Sequence, residues 1–287
     1  GTWWVWNEGA TRAAQAAPVG RIASGTDFSA LLLDAKQGAW ALSGDATGLR
    51  RSPDGGETWA SVPVLAGTVT ALTQSADGLY QYALVANELH RSVDGGQSWS
   101  KNGTPPRGSR LTTLAANPAD PAVLYALDQA GAMFRSSDQA ETWTREDFGP
   151  AGPTTSLTIA QSSPLEVFAS AGDAGVVAGA NGKWASANGV INGALPTDII
   201  HSVAYDPFSG ATSTMPGGDT TQGTLYAATD QGVFRSTDYG QDWFRLGPDA
   251  DIRTIAVGPS GTELLLAVSA AGEVYRSTDR GITWTNE

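Results

Sequence analysis

The 287-residue sequence has no cysteine and very little lysine. Without cysteine, the chain forms neither disulfide bonds nor thiolate metal sites, and thiols give no information about its redox compartment. Its only lysines are Lys36, Lys101 and Lys183, and the formal net charge is −12. A nucleic-acid-binding protein normally carries a basic surface that neutralises phosphates. Nucleic acid is therefore not expected among the partners.

Long apolar runs are missing as well. A membrane-spanning helix needs about 20 consecutive apolar residues, so the sequence predicts no transmembrane segment. Gly1 is not followed by a basic stretch and an apolar run, so we expect that a signal peptide either was removed or never existed. The 35 glycines and 15 prolines favour many short strands joined by tight turns.

One nine-residue motif occurs five times in this sequence. The copies are RSPDGGETW at 51–59, RSVDGGQSW at 91–99, RSSDQAETW at 135–143, RSTDYGQDW at 235–243 and RSTDRGITW at 276–284. Their central aspartates are 40, 44, 100 and 41 residues apart, so the long interval corresponds to two periods. The segment GVVAGANGKW at 175–184 occupies the place of a sixth copy. Repeats of this period are typical of propellers and solenoids.

Each period predicts four short strands. The last unit, for example, predicts strands at Ile252–Val257, Leu264–Ser269, Glu273–Ser277 and Ile282–Thr285, separated by turn residues. The first strand of each unit is built from small or aliphatic residues, which suits the crowded axis of a ring. We predict an all-β fold, a single β-propeller of four-stranded antiparallel blades. Six blades are favoured, and seven is the alternative.

The domain organisation follows from the extent of the repeat. We predict a propeller at 28–287, preceded by a sealing segment at 1–27 in which Trp3, Trp4 and Trp6 pack against the ring. Those tryptophans could instead form a carbohydrate-stacking surface or the remnant of a seventh blade. The predicted blades are approximately 28–65, 66–107, 108–152, 153–195, 196–248 and 249–287.

The motif lies between the third and fourth strands, where each of its residues has a structural role. The aspartate accepts hydrogen bonds from the turn backbone, the serine adds a hydroxyl bond, and the tryptophan fills the seam between blades. The predicted structural residues are Ser52, Asp54, Trp59, Ser92, Asp94, Trp99, Ser136, Asp138, Trp143, Ser236, Asp238, Trp243, Ser277, Asp279 and Trp284.

Blades three, four and five depart from the pattern. Blade three has Gln139 and Ala140 where glycines stand in other copies, which disfavours a left-handed backbone. Blade four has no Ser-x-Asp, so its turn at Gly179–Gly182 is predicted to be shorter. Blade five contains the polar segment Pro207–Gly223 between its first and second strands, which predicts a surface loop on the same face as the motif turns.

The pattern Ser-x-Asp-x-Gly-x-Thr-Trp resembles the Asp box, also called the bacterial neuraminidase repeat. The fuller form GLxRSxDGGxTW is most similar to the photosystem II stability/assembly factor group, and oligoxyloglucan hydrolases and sortilin-type receptors share the likeness. This resemblance implies a propeller in which the Asp boxes are structural turns and the functional face lies opposite. It also implies a non-catalytic, extracytoplasmic role in binding or scaffolding a protein, whether secreted, periplasmic or lumenal.

Sialidases also resemble this sequence, so catalysis requires its own test. A sialidase-like site needs three arginines, a tyrosine activated by a glutamate, and an aspartate. Arg21, Arg110 and Arg253 lie at or before inner strands, but no convincing Tyr–Glu pair accompanies them. An oligoxyloglucan hydrolase is expected to have two propellers and a pair of catalytic aspartates. The candidate carboxylates here are Asp34, Asp45, Asp173, Asp206 and Asp230.

We predict no catalytic residue, no metal site and no cofactor. The two histidines, His90 and His201, are far apart and belong to no metal-binding spacing. The arginine before each motif serine is predicted to bridge to the adjacent blade. Its alternative role is recognition of an acidic segment of a partner protein. The candidate partner-binding residues are Arg50, Arg51, Arg91, Arg107, Arg110, Arg135, Arg235 and Arg276.

Three functional hypotheses follow. The first is a protein-binding or assembly scaffold that uses the longest loops opposite the Asp boxes, at Lys101–Arg110, Glu146–Ser156 and Asn188–Asp198. The second is a glycan-binding or glycoside-hydrolysing propeller. The third is a structural subunit of a larger surface or photosynthetic complex.

Overall fold

The computed structural model describes most of the chain, and all regular structure in the described residues is β. Among the described residues, no helix is long and apolar enough to cross a membrane. Trp3, Trp4 and Trp6 lie outside the described residues, as do Asp34 and Asp173. The described ranges are 20–21, 29–33, 41–45, 48–75, 77–147, 149–150, 152–160, 166–171, 174–180, 183–189, 194–195, 199–211, 222–258 and 262–284.

A short strand, β1 (Gly20–Arg21), precedes blade one. Blade one contains β2 (Ala30–Leu33), β3 (Ala41–Asp45), β4 (Gly48–Ser52) and β5 (Ala60–Ala66). Blade two contains β6 (Val69–Gln74), β7 (Gln81–Val85), β8 (Glu88–Ser92) and β9 (Ser100–Lys101). Blade three contains β10 (Leu111–Ala116), β11 (Leu124–Asp128), β12 (Met133–Ser136) and β13 (Thr144–Arg145).

The second half of the chain repeats this arrangement. Blade four contains β14 (Ser156–Ala160), β15 (Glu166–Ser170), β16 (Val176–Ala180) and β17 (Lys183–Ser186). Blade five contains β18 (Ile200–Ala211), β19 (Gln222–Thr229), β20 (Gly232–Ser236) and β21 (Phe244–Gly247). Blade six contains β22 (Ile252–Val257), β23 (Leu265–Ser269) and β24 (Glu273–Ser277).

The blades form a closed ring. The described residues form six four-stranded sheets, and every observed pairing is antiparallel. The inner strands β2, β6, β10, β14, β18 and β22 contact one another in that order, and β22 also contacts β2. The predicted all-β propeller of four-stranded antiparallel blades is confirmed.

The outer strand of blade six differs from the prediction. Residues 282–284 form no strand, and Thr285 is outside the described residues. Instead, β1 pairs with β24, with Gly20 opposite Val274 and Arg21 opposite Glu273. The outer edge of the last blade is therefore paired by a segment from the other end of the chain, which links the first and last blades. The wider division into a sealing segment and a propeller remains a prediction.

Blade five also differs in one detail. The polar segment predicted as a loop at Pro207–Gly223 continues both neighbouring strands, because β18 extends to Ala211 and β19 begins at Gln222, its pairing partner. Residues 212–221 lie outside the described residues.

The core is divided among the seams between blades. Six hydrophobic clusters are present in the described residues, and each fills one seam. The seam between blades six and one, for example, contains Leu31 and Leu33 from β2 together with Leu266 and Val274. A fully buried leucine contributes about 1.5–3 kcal/mol relative to an exposed one. Closure of the ring is thus stabilised by the same kind of packing as the other five seams.

Hydroxyl side chains connect neighbouring inner strands. The inner strands have no partner strand on the axial side, so their backbone groups there need other hydrogen-bond partners. The N–H of Ala116 donates to Thr73 Oγ1 at 3.0 Å, and the N–H of Val203 donates to Ser156 Oγ at 2.8 Å. Thr155 Oγ1 donates to the carbonyl of His201 at 3.0 Å. Serine and threonine in or next to the inner strands therefore satisfy backbone groups across two seams, between blades two and three and between blades four and five.

Candidate functional site

The order of strands gives the ring two distinct faces. In each blade, the connections between the first and second strands and between the third and fourth strands lie at one end, which we call the Asp-box face. Connections between blades and between second and third strands lie at the other end, which we call the loop face. The three long loops predicted as a contact surface belong to the loop face.

The Asp box is a closed network of hydrogen bonds. In blade one, Ser52 Oγ donates to Asp54 Oδ1 at 2.7 Å and accepts from the N–H of Gly56 at 2.8 Å. The N–H of Thr58 donates to Asp54 Oδ1 at 2.9 Å, and its hydroxyl donates to Oδ2 at 2.5 Å. The serine and aspartate of the other four copies make equivalent bonds. The serine and aspartate side chains therefore hold the turn together from within.

Hydrogen bonding keeps several of these aspartates ionised. The hydroxyl and N–H of Thr142 bond to Asp138 and lower the pKa of its carboxyl to about 2. At Asp54 and Asp279, partial burial acts to raise the pKa, but the bonds from threonine and serine outweigh it and the pKa is lowered. A carboxylate held in this way is a poor proton donor.

Blade three retains its Asp box despite lacking both glycines. In all five copies, two consecutive residues after the aspartate have positive φ, and in blade three these are Gln139 at 61° and Ala140 at 68°. The Ser136–Asp138 bond is nevertheless present at 2.7 Å. The strain expected from non-glycine residues in a left-handed backbone therefore does not prevent the turn from forming. In blade four, β16 and β17 are joined by only two residues, since Ala180 pairs with Lys183.

The tryptophans fill the seams, each between its own blade and the preceding one. Trp243 is 2% exposed, and its Nε1 donates to the carbonyl of Ala187 in blade four at 2.8 Å. Six tryptophans occupy the six seams in this way: Trp59, Trp99, Trp143, Trp184, Trp243 and Trp284. They are part of the core and are not an exposed stacking surface.

The eight candidate arginines fall into two groups. Arg51 Nε donates to the carbonyl of Gly95 at 3.2 Å, and Arg91 Nη1 donates to Gln139 Oε1 at 3.1 Å. Each acceptor belongs to the Asp-box turn of the next blade. Arg107 and Arg110 are exposed on the loop face. Arg135, Arg235 and Arg276 share the third-strand position of the first group, whereas Arg50 is one residue earlier on β4 and therefore lies on the opposite face of that strand. The eight do not form one patch.

The loop face contains a polar cluster that no motif predicts. His201 Nε2 lies 3.3 Å from Asp251 Oδ1, and Arg253 Nη2 lies 2.8 Å from Asp251 Oδ2. Burial lowers the pKa of His201 and Arg253 lowers it further, while Asp251 and Asp230 act in the opposite direction. We call these four residues the His201 cluster. The sequence does offer one clue to this cluster. Blades two and three carry threonine at the inner-strand position that His201 occupies in blade five.

A Tyr–Glu pair does exist, although sequence analysis found none. Tyr275 donates a hydrogen bond from its hydroxyl to Glu273 Oε2 at 2.8 Å. Period-two spacing on β24 places both side chains on one face of the strand. However, Tyr275 is only 5% exposed and lies in the seam between blades five and six, where burial raises its pKa. A tyrosine nucleophile needs the opposite change.

The candidate carboxylates do not form a facing pair. Asp206 is buried near the Asp-box end of β18, whereas Asp230 is exposed in the turn between β19 and β20 on the loop face. Side chains of Asp34, Asp45 and Asp173 are outside the described residues. Within the described part of the chain, no group of three or more histidine, aspartate or glutamate residues is placed to hold a metal ion.

A central channel of about 420 Å³ runs between the inner strands. Its described lining contains no charged side chain and is rich in hydroxyl groups, including Thr70, Thr73, Thr158 and Ser202. Thr73 also bridges two inner strands, so part of this hydroxyl lining belongs to the structure of the ring.

Comparison with known proteins agrees with this geometry. A family model described as BNR/Asp-box repeat matches residues 275–286, the last copy of the motif. The predicted Asp-box resemblance is confirmed. No curated protein sequence matches the chain at a significant level.

Several solved structures share the fold. YCF48 from Cyanidioschyzon merolae has a TM-score of 0.59 at 13% identity, covering 93% of this chain and 100% of that one. YCF48 bound to a D1 peptide has a TM-score of 0.53 at 16% identity, covering 93% and 82%. A GH74 enzyme from Niastella koreensis has a TM-score of 0.54 at 16% identity, covering 90% of this chain but only 38% of the enzyme. Identities this low establish a common fold and nothing further.

Proposed function

We propose that the chain is a non-catalytic, extracytoplasmic propeller that binds a protein partner through its loop face. The observation that carries the proposal is the likeness to YCF48 bound to a D1 peptide, 82% of which is covered. The bonding inside the Asp boxes supports the choice of face, because their serine and aspartate side chains are already engaged in holding the turn.

The connection between blades two and three is well suited to present a binding residue. At its start, Asn102 Nδ2 donates to the carbonyl of Gln139 at 2.9 Å. At its end, the N–H of Leu111 donates to Asn87 Oδ1 at 3.0 Å. Because both ends of this loop are fixed, the loop loses little conformational freedom when a partner binds.

The tip of the same loop is an ordered turn. The N–H of Ser109 donates to the carbonyl of Pro106 at 3.1 Å, and Gly108 has a φ of 81°. Arg107 and Arg110 are exposed on either side of that turn. Guanidinium groups bind carboxylates and carbonyls through several donors at once. The partner segment is thus expected to be acidic or rich in exposed carbonyl groups.

Binding measurements with paired variants test the proposal. The first probe is a D1 peptide, followed by proteins that co-purify from the native source. Combined Arg107→Ala and Arg110→Ala changes are expected to weaken binding about tenfold or more, because hydrogen bonds to charged groups contribute about 1.5–3 kcal/mol. Lys183→Ala is the matched control, since Lys183 is exposed at the opposite end of blade four. Equal affinities for all variants would contradict the choice of face.

The likeness to a GH74 enzyme favours a glycan ligand as the second candidate. This candidate predicts binding or cleavage of polysaccharides or sialosides, and a panel of such substrates separates it from protein binding. The absence of activity together with saturable peptide binding would leave the first proposal standing. The extracytoplasmic location has its own test, which is fractionation of native cells with a cytoplasmic marker as control.

A further inference from the structure

The hydroxyl groups that line the central channel fall into two sets. In blades one to three, each hydroxyl residue of the described lining takes part in a hydrogen bond within the protein: Ser29, Thr70, Thr73, Ser75 and Thr113. In blades four to six, Thr158, Ser202 and Thr254 line the same channel but make no hydrogen bond to another described residue. One side of the channel thus presents hydroxyl groups that the described part of the ring does not use.

Ser202 and Thr254 stand where blade three has a structural threonine. All three residues directly follow a register shift near the start of their inner strand, and the one in blade three is Thr113. Thr113 Oγ1 accepts a hydrogen bond from the N–H of Leu127 at 3.2 Å. Ser202 and Thr254 make no bond of this kind. The sheets of blades five and six therefore form without using these two hydroxyls.

The channel has the volume of a small-molecule site. It measures about 420 Å³, and ligand pockets in proteins are about 300–1,000 Å³. Ser202 and Thr254 are both buried, so the ring shields their hydroxyl groups from bulk solvent. A buried hydroxyl without a hydrogen bond is costly. Either water or a polar ligand inside the channel supplies the missing partners.

The chemistry of the lining selects the class of ligand. The described lining has no charged side chain, so a charged ligand would lose its hydration without meeting an opposite charge. Blade one lies opposite blade four in a ring of six, and its part of the lining includes Leu31, Leu32 and Leu33. The channel therefore has an apolar side and a side with unused hydroxyls. A compact molecule with hydroxyl groups on a C–H framework is complementary to both.

We propose that the central channel binds a small, uncharged polyhydroxylated molecule, of the size of a monosaccharide or a cyclic polyol. Thr158, Ser202 and Thr254 exchange hydrogen bonds with its hydroxyl groups, and the leucines of blade one contact its C–H surface. This site lies inside the ring, whereas the proposed protein partner contacts the loop face. The inference therefore goes beyond the proposed function and does not depend on it.

Titration of the intact chain, followed by its amide NMR resonances, tests the inference. The uncharged probes are myo-inositol and D-glucose, and D-glucuronate is the charged counterpart of glucose. At least one uncharged probe is expected to give saturable shifts at Thr158, Ser202 and Thr254. Glucuronate should bind at least about tenfold more weakly, because its carboxylate would be desolvated without a partner. A channel that holds water only would give no saturable shift with either uncharged probe, and this result, or equal affinity for glucuronate, overturns the inference.

Variants that remove one hydroxyl and keep the side-chain shape provide the second measurement. Thr158→Val and Thr254→Val are each expected to weaken binding of the same probe by about three- to tenfold, the loss that corresponds to one hydrogen bond. Thr144→Val is the matched control, since Thr144 is exposed on the outer strand β13, and it should leave the affinity unchanged. Equal affinities for all variants would overturn the inference. If a channel variant folds poorly, the map of shifts in the wild type still decides. No peptide is needed, so failure here is distinguishable from failure of the proposed function.

Discussion

Arg91 on the third strand of blade two donates a hydrogen bond to Gln139 in the Asp-box turn of blade three, with 3.1 Å between Nη1 and Oε1. The same guanidinium lies 5.3 Å from the centre of the Tyr80 ring. One seam earlier, Arg51 bonds to the Asp-box turn of blade two. In these two seams, the arginine before each motif serine therefore ties its blade to the next one.

This bond compensates for a strained position, which leads to a double-mutant test. Gln139 has a φ of 61°, where glycine is more stable by about 1 kcal/mol. In the wild type, Gln139→Gly is expected to be nearly neutral, because the backbone gain offsets the lost hydrogen bond of about 1 kcal/mol. In an Arg91→Met background, the same change should stabilise by about 1 kcal/mol. Urea unfolding of the four proteins measures the coupling, and additive effects would contradict it.

The second prediction compares two glycines of similar φ but different surroundings. Gly240 has a φ of 84°, and a Cβ there would lie 2.6 Å from the carbonyl oxygen of Ala187. Gly108 has a φ of 81°, with nothing within 4 Å of the corresponding position. Gly108→Ala should cost about 1 kcal/mol for the backbone alone. Gly240→Ala should cost an additional 1–3 kcal/mol or so for overpacking. Thermal unfolding measures both, and equal losses would show that the blade-four contact is irrelevant.

The third prediction concerns acid stability of the Asp-box turn. The bonds from Thr142 lower the pKa of Asp138 to about 2, whereas the ordinary value is about 3.9. The ionised carboxylate therefore stabilises the fold above about pH 4, and this contribution disappears as pH falls towards 2. The difference in melting temperature between wild type and Asp138→Asn should shrink over that range. Glu141→Gln, which removes an exposed carboxylate of the same turn, is the control for the loss of one negative charge.

Much of the fold could be predicted from sequence because the repeat encodes it locally. Strand bounds such as Ile252–Val257 and Glu273–Ser277 agree with the structure, since apolar runs and turn residues lie within a few positions of each other. The pairing of β1 with β24 could not be predicted. It joins residues more than 250 positions apart, and a two-residue strand carries no periodicity.

The polar cluster on the loop face shows the same limit. His201 and Arg253 occupy equivalent positions in the inner strands of blades five and six, and Thr112 stands there in blade three. The sequence therefore shows that histidine and arginine replace a hydroxyl residue at this position in blades five and six. Which neighbour each side chain reaches depends on how two blades pack, and Asp251 enters the contact from a connection between blades.

The fourth prediction tests the role of tryptophan in the seams. Trp243 is almost fully buried between blades four and five, and its Nε1 bonds to Ala187 across the seam. Trp243→Ala should destabilise the protein by about 3–5 kcal/mol because it opens a large cavity. Trp243→Phe keeps most of the apolar contact and should cost clearly less. Chemical denaturation distinguishes the two, and a small loss for alanine would mean that the seam collapses around the cavity.

Blade four lacks an Asp box, yet its edge is held by a different side chain. Asn188 Oδ1 accepts from the N–H of Val176 at 2.6 Å, and its Nδ2 donates to the carbonyl of Ala174 at 2.7 Å. These bonds join the connection after β17 to the turn before β16. A Cβ on Gly175 would lie 2.1 Å from Asn188 Oδ1, so glycine allows this close approach.

Asn188 should therefore be the most sensitive polar residue of this blade. Asn188→Ala is expected to cost about 1–3 kcal/mol, because it leaves the buried N–H of Val176 without an acceptor. Asn117→Ala is the control, since the Asn117 side chain accepts one bond from the exposed Ala119. Its loss should be smaller. Equal values in urea unfolding would show that blade four is stabilised by its seams alone, because the polar bond would then add nothing to the packing of Trp184 against blade three.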